Sequence, residues 1–77
     1  MSAQHIEYLR RHLNYEAFLT AKQENLAKIE STMKYLKRVK ENNRIFIENE
    51  ILRENLEKRI DILEEWKILW NAATYNL

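Results

Sequence analysis

Seventy-seven residues pass without a single glycine or proline. About nine of the two together would be usual in a chain of this length. Tight hairpin turns, β-bulges and phosphate-cradling loops draw on glycine for backbone conformations that other residues adopt only with strain. A sheet protein or a nucleotide-loop protein is therefore excluded in practice. A helix interior needs neither residue, and the abundance of Leu, Ile, Glu, Lys, Arg and Asn fits an all-α chain.

Apolar residues recur every three or four positions along most of the sequence. Ile6, Leu9 and Leu13, then Leu26, Ile29, Met33 and Leu36, mark a helix over about 3–40, with Ser2 as its N-cap. A second helix over about 44–76 has the cleaner repeat. There Ile45, Asn49, Leu52, Leu56, Arg59, Leu63, Trp66, Trp70, Ala73 and Leu77 alternate by four and three, as in a heptad seam. Arg59 is the misfit, and Ile60 beside it is the natural substitute. The two seams are offset by two residues within the polar stretch 37–44, which carries one apolar residue, Val39. A continuous rod would have to absorb that slip, so the spacing predicts a fold-back near 41–44, with Asn42 and Asn43 as the best ordinary residues for a tight turn. A hairpin centred there brings Phe18 to Trp66 and Lys34 to Glu50. A three-helix alternative places the extra break at Thr20-Ala21-Lys22-Gln23, which resembles a capping box.

Charge supports folding back. Residues 1–40 hold eight Lys/Arg against four Asp/Glu, whereas residues 41–77 hold five against eight. Halves of opposite sign favour lying side by side, within one chain or between chains. The pairs Glu24–Lys28, Glu30–Lys34 and Glu54–Lys58 lie four apart in the favourable order and support the helices.

The second helix is apolar beyond one seam, because Ile47, Ile51, Ile60, Ile62, Ile68 and Leu69 widen its stripe. A two-helix hairpin covers only one side of each helix. The breadth of the face therefore predicts a further layer: a four-helix bundle or coiled-coil-like assembly made with itself, or docking onto a partner's helices. The expected interface is Ile51, Leu52, Leu56, Ile60, Leu63, Trp66, Leu69 and Trp70, with Asn49 at a seam position as the residue that fixes register.

Other chemistries find little support. A net charge of +1 argues against a bulk nucleic-acid binder. The run Lys34, Lys37, Arg38, Lys40 and Arg44 is the one candidate for phosphate contact, although cations at a helix C-terminus also complement its dipole. It gives the rival reading, a small regulator that binds an effector enzyme or nucleic acid through 34–44. His5 and His12 lie two turns apart, roughly 10.5 Å along a helix, too far to share one ion, so no metal and no cofactor is expected. No Ser–His–acid grouping or glycine-rich loop is present, and a small helical element offers no deep pocket. The chain reads as non-enzymatic. Absence of cysteine removes disulfides and thiolate chemistry and favours an intracellular setting, cytoplasm and nucleus alike. Met1-Ser2-Ala3-Gln4-His5 does not resemble a signal peptide, and no apolar run approaches a membrane span. The sequence thus leads to a single domain over 1–77 acting as an interaction subunit or adaptor, either free or as a piece of a longer coiled-coil protein.

Overall fold

A computed structural model of the chain describes residues 3–42 and 48–75. Within them the protein is all-helical, with three helices where two were expected: α1, Ala3–His12; α2, Tyr15–Asn42; and α3, Glu50–Ala72. The expected first helix over 3–40 is broken at Leu13–Asn14 and runs on to Asn42. Of the expected second helix, α3 runs from Glu50 to Ala72 and so ends earlier than expected; Glu48 is also helical, and residues 44–47 lie outside the described residues. Glu41 and Asn42, placed in the turn by the sequence reading, belong to α2; Asn43 and Arg44 lie outside the described residues.

Asn14 explains the first break. Its side-chain Oδ1 accepts a hydrogen bond from the Ala17 amide at 2.8 Å, and its carbonyl accepts from Phe18 N at 2.9 Å. Asn14 is therefore the N-cap of α2, engaging one of the amides that a helix start leaves without a partner. The alternative break at Thr20–Gln23 does not form, and those residues lie inside α2. Packing favours the earlier corner. An unbroken helix over 3–42 would be about 60 Å long, more than the 50 Å long dimension of the molecule. Bending at Leu13–Asn14 lays α1 beside the end of α3, where Ile6 is buried. Among the described residues no backbone enters the left-handed region, so this corner forms without any conformation that glycine would favour.

α2 and α3 pack along their length and run antiparallel, since Lys22 near the start of α2 reaches the end of α3 while Lys40 near its end meets Glu57. Their register differs from a hairpin centred at Asn42. Phe18 packs on Trp70 with ring centroids 6.2 Å apart, one turn beyond the expected Trp66. Glu30 pairs with Lys67, a larger displacement. The displacement follows the deepest contact of the pair, since Trp70 is fully buried and packs on Phe18.

The core is one stripe from each helix. Phe18, Ile29, Met33 and Leu36 from α2 meet Leu56, Ile60 and Trp70 from α3, with Ile6 added by α1. Ile60 is buried and Arg59 exposed, as the misfit in the heptad suggested. Trp70 is 0% and Phe18 2% exposed. Tyr75 closes the aromatic end, with centroids 5.8 Å from both Phe18 and Tyr15. Each fully buried large side chain contributes about 1.5–3 kcal/mol.

Asn49 has extended backbone angles (φ −93°, ψ 104°), and its side chain accepts from the Leu52 amide at 3.1 Å. It caps α3 and is exposed, so within the α2–α3 pair it is not a buried seam residue. Asn14→Ala and Asn49→Ala should each lower unfolding free energy by about 1 kcal/mol, whereas Gln23→Ala should leave it nearly unchanged. Urea denaturation followed by circular dichroism measures all three.

Candidate functional site

The two flanks of the α2–α3 pair differ in chemistry. One is crossed by ion pairs: Lys40–Glu57 at 3.1 Å, Glu30–Lys67 at 2.7 Å and Lys37–Glu64 at 3.8 Å. These groups are well exposed, so each pair contributes at most about 1 kcal/mol; they line this flank with charge, beside one exposed apolar side chain, Ile68, a turn beyond Glu64. Lys67 donates a hydrogen bond to the Glu30 carboxylate and, with the added attraction of its charge, holds that carboxyl below its ordinary pKa against a smaller opposing effect of desolvation. Arg10 does the same for Glu7 on α1. Lys22 closes the same pair of helices at its far end. Its ammonium donates to the Ala73 carbonyl at 2.7 Å and more loosely to Asn71 O at 3.4 Å. α3 has no basic residue in its own last turn, so a lysine from α2 supplies the cation that its C-terminal carbonyls favour.

The opposite flank carries exposed apolar side chains interrupted by Asn55 and Arg59. α3 carries a second heptad stripe beside the buried one: Leu52, Asn55, Arg59, Ile62, Trp66, Leu69 and Ala73, spaced three and four apart. At its C-terminal end Leu69 and Ala73 line a cleft against Ala3, Ile6 and Arg10 of α1. Towards its N-terminal end nothing from α1 lies over it. There Leu52, Asn55 and Arg59 form one wall of an open groove of about 650 Å³, with Tyr35 and Val39 of α2 as the other wall and Leu36 and Leu56 among its lining. Leu52 is 38%, Ile62 45% and Tyr35 65% exposed, and the neighbouring Ile51 is 71% exposed.

The expected interface residues therefore separate. Leu56, Ile60 and Trp70 are buried in the protein's own seam, and Leu63, Trp66 and Leu69 are half-buried against it. Ile51 and Leu52 are the two left open. Sequence reasoning placed Ile62 on the broad face without selecting it, and it passed over Tyr35 because that residue sits among lysines. The signal that would have found Ile62 is the second stripe, one position removed from the first; Tyr35 lies on α2, outside that stripe.

The basic run is dispersed rather than gathered. Lys37 and Lys40 are held by Glu64 and Glu57, Lys34 adds to the field that lowers Glu30, and Arg38 is exposed; Arg44 lies outside the described residues. His12 stacks on Tyr8 with centroids 4.3 Å apart. Among the described residues no three His, Asp or Glu side chains converge as metal ligands would, and no helix is long and apolar enough to cross a membrane.

No protein-family model matches the chain, and comparison with curated proteins and with solved structures finds no match.

Because the folded state holds Glu30 below its unfolded pKa, the contribution of that pair is present above the unfolded value and is lost as pH falls through the folded one. Lys67→Met should therefore be less stable than the parent at neutral pH. The gap should close as the solution is acidified below the carboxylate range, read by thermal unfolding at a series of pH values.

Proposed function

We propose that this chain is a non-enzymatic interaction module, a small helical pair that associates through the open flank of α3 with helices of another copy or of a helical partner. The product would be a four-helix bundle or a coiled-coil-like assembly. One observation carries this reading. Ile51, Leu52 and Ile62 of α3 and Tyr35 of α2 are exposed on or beside one groove, while the opposite flank of the same helices is crossed by ion pairs. Isolated apolar side chains on a surface need no explanation. Several exposed apolar side chains grouped beside polar ones, here with Asn55 and Arg59 between Leu52 and Ile62, mark a place where another element packs. Heptad spacing along the outer stripe of α3 suits a helix better than an extended peptide or a small molecule.

The rival reading, a regulator acting through the basic segment 34–44, draws less support from the same geometry. Lys37 and Lys40 already have carboxylate partners within the protein, so meeting phosphates would first break those pairs.

The test is photocrosslinking inside cells that make the protein, with a benzophenone amino acid at position 62 or at position 64. Adducts to polypeptide should form from position 62, on the open flank, and be absent or several-fold weaker from position 64, on the ion-paired flank. Adducts from neither position, or equally from both, would overturn the reading.

A further inference from the structure

Resting on that reading, we infer that the occupant of the open flank is a second copy of this chain, joined by an antiparallel, two-fold symmetric contact of α3 with α3 centred on Glu57. The free part of the second stripe reads Leu52, Asn55, Arg59, Ile62: apolar, polar, polar, apolar. A two-fold interface brings residue i of one copy to j of the other and j to i. With the axis level with Glu57, Leu52 meets Ile62 of the partner subunit, and Asn55 meets Arg59 of the partner subunit. Both contacts occur twice. The Asn55 carboxamide oxygen is an acceptor and the Arg59 guanidinium has donors only, so the two polar positions satisfy each other at the centre of an apolar strip.

Other alignments do not match. A parallel, in-register pairing sets guanidinium against guanidinium at position 59. Sliding the antiparallel pair by one heptad step in either direction pushes Arg59 or Asn55 against Ile62 or Leu52, leaving polar groups covered without partners. Among the described residues Arg59 has no carboxylate within ion-pairing distance, so its donors remain available to such a contact. α1 limits the same register. In this alignment Glu50 of one copy is level with Glu64 of the other, just short of Leu69, where α1 lies over the stripe. Tyr35 and Val39 continue the open face onto α2 and widen the contact beyond a single pair of helices. The like-charged neighbours it creates, Lys58 and its symmetry mate, sit on the exposed rim, where water and salt screen them.

The purified 77-residue chain should sediment at twice the mass of one 9.5 kDa chain. Ile62→Asp, at a surface position, should be a monomer with unchanged helical circular dichroism. Asn55→Leu should weaken the dimer at least tenfold by stranding Arg59, and adding Arg59→Leu should restore association. Because the chain has no cysteine, an equimolar mixture of Asn55→Cys and Arg59→Cys proteins reports register directly. Under mild oxidation the mixed disulfide should exceed either symmetric one several-fold. A monomer at 100 μM, or disulfides in statistical proportion or mainly symmetric, would overturn the inference. If the purified protein is monomeric yet position 62 crosslinks to a different polypeptide in cells, the self-contact is wrong and the helix-docking reading stands. If position 62 crosslinks to nothing, both fall.

Discussion

The packing of Phe18 on Trp70 is the contact on which the remaining geometry rests. Among the described residues these are the two most completely buried side chains, and they lie at the end of the α2–α3 pair nearest the corner at Leu13–Asn14. Once Trp70 is seated on Phe18, the level of α3 against α2 is set. Lys22 then reaches the last carbonyls of α3, and Tyr75 comes back over Phe18. α1 packs at that same end, with Ile6 buried beside Leu69 and Ala73. Burial is worth several times more than any of the exposed ion pairs, so those pairs follow the register and do not impose it.

That hierarchy explains what could be read from the sequence. Helical class followed from the absence of glycine and proline together with apolar periodicity, both local properties. Folding back followed from the mismatch of two seams and from the opposite charge of the halves. Register did not, because a fold-back aligned on Asn42 also matched apolar layers; a wide amphipathic helix satisfies several alignments about equally. The decision between them lies with the most deeply buried contact, Trp70 against Phe18, which periodicity alone does not single out.

Two asparagines show the same limit from another side. Asn14 was invisible as a helix start because the apolar spacing continues across it, and Asn49 was assigned to a seam because it falls on the heptad. Both act through a side-chain oxygen that accepts from the amide three residues on, a local bond that periodicity does not report. The candidate surface had a similar history. Breadth of the apolar face was legible, but how it divides between the protein's own core and its exterior depends on which stripe α2 takes. α2 takes the stripe containing Leu56, Ile60 and Trp70 and leaves its neighbour outside.

The corner at Leu13–Asn14 gives α1 a role beyond filling space. A ten-residue helix is too short to persist alone in water, and α1 contributes a single buried side chain, Ile6. It is thus the part of the fold with the least holding it down, and its cover ends on Leu69 and Ala73, the last members of the outer stripe. Displacing α1 would uncover Leu69 and Ala73 and lengthen that stripe by a heptad step. The docking equilibrium of α1 and the length of apolar surface offered to another helix are therefore linked quantities, and any change that loosens the first enlarges the second.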